Sequence, residues 1–510
     1  MRTKNTFKNM IIGIVSLLLT TIASFILRTV FIQKLGSNYL GLNGLLSNIL
    51  SMLSLAELGI GTAIGFSLYK PLSENDNDKI KALMLFYKKA YITIGIIVLI
   101  AGILLIPILP YFIKEIDTIN NFYLIYILYL VNTSYSYLFS YKRTLINSDQ
   151  KGYKLTIQTT TFKISLTLVQ IIYLFNFNDY IVYLSIQLLF GFVENIFVNY
   201  KINKEYPYLK EKNIKKLSNQ EKKNISKNVN GMLFHKIGDY CINGTDNIIM
   251  SKFIDLATVG IYSNYTLIIN CVNSFLSTIF NSAAASFGNL ISLENQDFVY
   301  KKFQIFNFLA FWLYGFSSLA FLFLLNPFIE LWFGEKYIIS MSVVLVVVIN
   351  YYFASMRVPL GIIKASAGVY YQDKYIPIIQ AAVNLIISII AVQKLGLVGI
   401  FIGTLASSVL VVFWSRAYIV YKYVFRKNVF SYFIDFFKYL FVIILEGLII
   451  FLIFRFVSFS NLMFNFIFKV SIICAIPNLL NLIIYRNSEL FKELFQLFKV
   501  LRSGSNVKKS

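Results

Sequence analysis

The apolar stretch MLFHKIGDYCINGTDNIIM (residues 232–250) holds His235, Lys236, Asp239, Asn243 and Asp246, and His235 is the chain's single histidine. Positions 235, 239, 243 and 246 follow an i, i+4, i+8, i+11 spacing. In a helix this puts His235, Asp239, Asn243 and Asp246 on one narrow face, with Lys236 at its edge. An imidazole beside carboxylates can take up and release a proton or hold a cation, so His235, Asp239 and Asp246 are candidates for ion coupling. The face cannot point at lipid. An ionised group inside a bilayer costs several kcal/mol, so it must look into protein or a water-filled cavity.

Two further polar stripes point the same way. Ser16, Thr20, Ser24 and Arg28 recur every four residues, and Asn43, Ser47, Ser54 and Glu57 lie on the segment that follows. Ser, Thr and Asn also bond neighbouring helices, but Arg28, Glu57, Lys236 and Asp239 fit a cavity lining better. At about 1.5 Å per residue, Arg28 and Asp246 sit about 7–8 Å below the outer surface, whereas Glu57 and Lys236 sit near the inner third. We expect Arg28–Asp246 to close an outer gate and Glu57–Lys236 an inner one.

These side chains need membrane helices to position them. The chain has 510 residues, 57% hydrophobic and 14% charged, too little charge to cover soluble domains of this size. Residues 91–113 run 23 positions without a charge, enough to span about 30 Å of hydrocarbon. Apolar segments at 9–33, 40–68, 88–110, 120–141, 156–175, 180–200, 229–251, 257–290, 304–326, 337–358, 376–393, 396–418, 431–454 and 462–485 predict an all-α polytopic membrane protein of about fourteen transmembrane helices. The long first segment and the lack of a small-residue cleavage site predict a retained helix, not a signal peptide.

The net charge of +23 follows this layout. With both termini cytoplasmic, the inside segments carry 36 of the 47 Lys and Arg residues and the outside turns six. Basic loops stay on the cytoplasmic side, so the charge is topogenic and no nucleic-acid partner is expected. The expected domains are an N-terminal lobe (1–205), a basic linker (206–228), a C-terminal lobe (229–428), two further helices (429–487) and a basic tail (488–510). An internal echo supports two lobes: aligning Gly41 with Gly260 brings the turns of RTVFIQKLGSNYLGLNGLLSNILS and DNIIMSKFIDLATVGIYSNYTLIINC into register. QKLG at 33–36 recurs at 393–396.

Other chemistries lack their residues. There is no GxxxxGK[ST] loop for nucleotide hydrolysis, no cysteine cluster or metal-ligand spacing, and no long outside loop to house catalysis. Neither enzymatic activity nor a metal or organic cofactor is expected, and an H+ or Na+ gradient would supply the energy.

FILRTVFIQKLGSNYLGLNGLLSNILSMLSLAELGIGTAIGFSLYKPL (25–72) and TDNIIMSKFIDLATVGIYSNYTLIINCVNSFLSTIFNSAAASFGNLI (245–291) resemble the polysaccharide-repeat flippases of bacterial capsule and O-antigen pathways, in the superfamily of multidrug, oligosaccharidyl-lipid and polysaccharide exporters. The resemblance implies two six-helix lobes in a V, with two extra C-terminal helices, working by alternating access. It implies an undecaprenyl-pyrophosphate-linked oligosaccharide moved to the outer leaflet of the bacterial cytoplasmic membrane. Membrane lipids and the polymerase machinery would be the partners. Arg28 and Lys236 would meet the anionic pyrophosphate, with Ser24, Glu57 and Asn243 lining the cavity and Lys364 and Arg416 near its inner mouth. The competing readings are a drug or cation antiporter of the same fold and a membrane polysaccharide polymerase.

Overall fold

The computed structural model describes residues 2–53, 60–114, 116, 119–211, 217–218, 220, 244–369 and 371–503. Among them the regular elements are all helical, and no strand occurs. Among the described residues eleven helices are long and apolar enough to cross a membrane. Their flanks leave large apolar side chains bare, such as Leu448, Phe451 and Ile483, which are 54%, 52% and 64% exposed. Water would not tolerate so much exposed apolar surface, whereas lipid does. The chain is a multi-pass membrane protein.

The eleven reconcile with the fourteen expected. Helix α1 (Arg2–Leu53) counts once but holds two spans, because Gly36 breaks it at φ 84. A straight helix of that length would reach about 78 Å, more than twice the hydrocarbon thickness. Helix α5 (Gly152–Asn176) forms as expected, but its Thr, Gln and Lys residues leave it less apolar than the eleven. Most of the seventh expected span lies outside the described residues, which resume at 244.

Polar turn residues start the helices. Asp76 accepts from Lys79 N at 2.9 Å before α3 (Asn77–Leu105), and Asp179 accepts from Ile181 N at 2.7 Å before α6 (Tyr180–Glu205). Asn295 and Asn461 do the same for α10 (Gln296–Phe333) and α17 (Leu462–Tyr485). Each satisfies backbone donors that a helix start leaves open. The repeated QKLG also has a local cause: Gly36 and Gly396 both take positive φ, 84° and 57°, which side-chain-bearing residues avoid.

The chain divides into two compact units, Met1–Ser263 and Asn264–Ser510. The division falls within α8 (Leu256–Ser282), and the basic segment expected as a linker begins inside the first unit.

In the first unit, α1, α2 (Ile60–Glu74), α3, α4 (Phe122–Ser148), α5 and α6 pack together with α7 (residues 244–253) and the start of α8. Loops expected on one side meet one another. Lys81 pairs with Glu211 at 2.7 Å, Lys154 with Glu205 at 2.6 Å, and Lys142 donates to Asn203 at 2.8 Å. At the other end Lys34 donates to the Phe175 carbonyl at 3.4 Å.

The echo has a physical counterpart here. A Cβ on Gly41 would lie 1.8 Å from the Leu256 carbonyl oxygen, and one on Gly260 would lie 2.1 Å from that of Ser37. The register that carries Gly41 onto Gly260 carries Ser37 onto Leu256, so the two close approaches are one contact made twice. Two backbones this near tolerate glycine alone.

In the second unit, α10, α11 (Met341–Ser355), α12 (Val358–Ser366), α13 (Ile376–Leu395), α14 (Leu397–Ser407) and α15 (Trp414–Val420) pack with α9 (Ala284–Leu293), α16 (Phe430–Phe456) and α17. Residues Ser408–Phe413 form a π-helical stretch between α14 and α15. Phe413, 1% exposed, lies among Phe353, Tyr432, Phe433 and Phe436, with ring centroids 4.7–6.4 Å away. Such aromatic clusters bury large areas and fix helix orientation. The last helix, α18 (Glu489–Ser503), is amphipathic and docks on α10, where Phe491 stacks on Trp312 with centroids 5.8 Å apart.

Candidate functional site

In the first unit the expected cationic residue is Arg28. Arg28 is half-buried on the first arm of α1, and its Nη1 donates to Ser263 Oγ on α8 at 2.7 Å. The Tyr183 hydroxyl lies within electrostatic reach. Tyr183 belongs to an aromatic wall: Phe31 meets Tyr183 and Tyr180 edge-on at 5.3 and 5.9 Å, and the Tyr180 and Tyr129 hydroxyls are 2.9 Å apart. A guanidinium held by a hydroxyl, with no carboxylate pairing with it among the described residues, keeps its charge available to an anion. The repeat register again holds: it carries Arg28 onto Asn247 and Gly44 onto Ser263, and Asn247 Nδ2 lies 3.9 Å from where a Gly44 Cβ would stand.

The other expected residues of this unit divide. Asp246 on α7 is half-buried and within electrostatic reach of Tyr262. Ser24 turns its hydroxyl back to the Thr20 carbonyl at 2.7 Å. Glu57, His235, Lys236, Asp239 and Asn243 lie outside the described residues.

In the second unit Lys364 is 5% exposed and forms an ion pair with Asp373, itself 5% exposed. That carboxylate neutralises the ammonium and removes it as a free anion partner. Arg416 lies on α15. Its Nη1 stands 3.7 Å from the position of a Gly361 Cβ, and Arg357, 6% exposed, lies within electrostatic reach. Arg357 Nη1 donates to the Ser408 carbonyl at 3.2 Å, while its Nε and the Ser408 hydroxyl have no hydrogen-bond partner. Both guanidiniums face the Tyr432 hydroxyl electrostatically, and no carboxylate pairs with either among the described residues. A buried guanidinium beside a half-buried one is an arrangement that suits an anionic group.

Sequence reasoning passed over Arg357 and Ser263. Arg357 reads as one more basic residue at a span's inner end, where topology alone accounts for it. Ser263 lies in the matched position of Gly44, and that register was its available signal. Among the described residues no group of three or more His, Cys, Asp or Glu side chains could hold a metal ion.

The described fold is shared with transport proteins of very different sequence. Lipid II flippase MurJ in an inward closed conformation superposes with a TM-score of 0.68 at 14% identity, over 94% of this chain and 98% of that chain. An inward-facing multidrug resistance MATE family transporter of the MOP superfamily gives 0.59 at 13% identity, over 78% and 94%. The MATE transporter VcmN of Vibrio cholerae gives 0.54 at 13% identity, over 84% and 99%. No curated protein matches the sequence. The polysaccharide biosynthesis protein family matches residues 6–285, more than half of the chain, across both arms of α1 and the Arg28–Ser263 contact. The chain belongs to that family.

Proposed function

We propose that this protein is a flippase that carries undecaprenyl-pyrophosphate-linked oligosaccharide repeat units from the inner to the outer leaflet of a bacterial cytoplasmic membrane. It works by ion-coupled alternating access between two six-helix lobes, with both termini cytoplasmic and the last two spans set beside the lobes. The flipped lipid is handed to polymerase machinery on the outer face. The observation that carries this reading is that guanidinium groups in membrane helices are held by a hydroxyl or a carbonyl instead of a carboxylate, Arg28 in the first unit and Arg357 in the second. A pyrophosphate carries the opposite charge and planar oxygen pairs that guanidinium groups bind well. A transporter of cationic drugs would want carboxylates in these places. Membership of a polysaccharide biosynthesis family supports the oligosaccharide, and the fold, shared with a lipid flippase, supports the lipid carrier.

The deciding experiment depletes the protein in its host and measures which leaflet holds the lipid-linked oligosaccharide. Accumulation on the cytoplasmic face with loss of surface polymer is expected. Normal polymer with altered drug sensitivity would replace this reading with the antiporter, and repeats stranded unpolymerised on the outer face would replace it with the polymerase.

A further inference from the structure

Helix α16 carries a carboxyl group at mid-length, in FVIILEGLII. Glu446 is 1% exposed, its Oε1 has no hydrogen-bond donor, and no Lys, Arg or His pairs with it among the described residues. Beside it α10 packs Gly315, whose Cβ would lie 2.7 Å from Ile443 Cδ1, and Leu319, whose Cδ2 would lie 3.3 Å from a Gly447 Cβ. Ser318 is spent on the Tyr314 carbonyl at 2.7 Å. From α11 the Tyr352 hydroxyl, buried and without a hydrogen-bond partner, comes within electrostatic reach, and from α17 that of Tyr485 does. The nearby cations answer to other acids: Lys438 to Asp435, and Lys469 of α17 to Glu330. An ionised carboxylate so placed would cost several kcal/mol. A metal cation would need several oxygen ligands, and these neighbours do not supply them.

We propose that Glu446 is the proton-binding site of the transport cycle. This rests on the ion-coupled flippase reading. Asp435 is half-buried near the Arg426–Lys427 end of α16. Tyr439 interacts with both Asp435 and Tyr485, and the two rings are 6.3 Å apart. Tyr485 in turn faces both Asp435 and Glu446, and Tyr352 faces Tyr439, Tyr485 and Glu446. One proton forms an O–H bond on the Glu446 carboxylate. No electrons move. The neutral acid then allows the last two spans to shift against α10 without carrying a bare charge.

The test is infrared difference spectroscopy of the purified full chain in lipid nanodiscs as pH is varied. A protonated-carboxyl band that disappears in base is expected, absent in Glu446→Gln and moved in Glu446→Asp. Tyr485→Phe should keep the band. A band that survives in Glu446→Gln, or one removed by Na+ at constant pH, overturns the proposal. Glu446→Gln in the leaflet measurement completes it: loss of flipping is expected, and unaffected flipping would overturn the coupling role while leaving the flippase standing. The flippase reading itself fails separately, if depletion leaves the leaflets unchanged.

Discussion

Arg28 combines a fixed charge, a half-buried setting and a neutral partner. A hydrogen bond to a charged group contributes about 1.5–3 kcal/mol, so Arg28→Ala should weaken substrate handling roughly ten- to a hundredfold. Arg28→Lys should recover only part of the loss, because an ammonium lacks the bidentate fork. Flipping of lipid-linked oligosaccharide in reconstituted vesicles is the measurement; full activity in Arg28→Ala would remove Arg28 from the path. Arg28 was legible because a cation completing a four-residue polar stripe inside a span has no bland explanation. Arg357 was not, since its partner is the carbonyl of Ser408, fifty-one residues further along the chain. Lys364 reads as a free cavity cation until Asp373 folds back onto it, a loop contact that no helical period announces. Glu446 stood in plain view as a carboxylate within an apolar run, but its span has no counterpart in the repeat to draw attention to it.

Helix crossings turn on single atoms. Gly41→Ala and Gly260→Ala each drive a methyl into a facing carbonyl oxygen, at 1.8 and 2.1 Å. Overpacking of this kind costs about 1–3 kcal/mol, and both variants should melt at lower temperature in detergent. Gly13→Ala, with nothing within 4 Å, should melt as the parent does. Docking of α18 carries its own pH dependence. The hydrogen bond from Lys301 Nζ, 2.5 Å away, holds the Glu493 carboxyl below the usual carboxylate range, against the upward push of partial burial, and the charges of Lys302 and Lys301 add to the lowering. A carboxyl depressed by folding stabilises the docked helix above its free pKa of about 4.3, and that stabilisation is lost as pH falls through the lower folded value. Fluorescence of Trp312, with the other two tryptophans changed to Phe, should report α18 loosening in that acid window. In Glu493→Gln the acid transition should be absent. The helices themselves were legible from length and apolarity, and their starts from Asp and Asn at the turns. The Gly36 break was legible too, because no bilayer accommodates a straight helix of that length.

The distribution of charge organises the protein as a whole. Loops rich in Lys and Arg touch one another within each unit, as Lys81–Glu211 does in the first and Lys427–Asp297, at 2.6 Å, does in the second. With native cysteines replaced by Ser, Lys394→Cys should react with an impermeant maleimide added to intact cells. Lys70→Cys should react only after permeabilisation, and the reverse pattern would invert the topology. The Gly41–Gly260 register was legible and returns as a doubled contact within the first unit, but the break between compact units was not, because it runs inside a continuous helix where composition does not change.

The doubled glycine contact also sets a timetable. Gly41 leaves the ribosome long before Gly260, and at about 5–20 residues per second the interval is roughly 10–45 s. For that time Arg28 sits in a nascent hairpin without Ser263, an unshielded charge facing lipid or the insertion machinery. The newborn chain must therefore be chaperoned within the membrane until its second half arrives, and anything that stalls synthesis between these glycines leaves the first helices exposed to quality-control proteolysis.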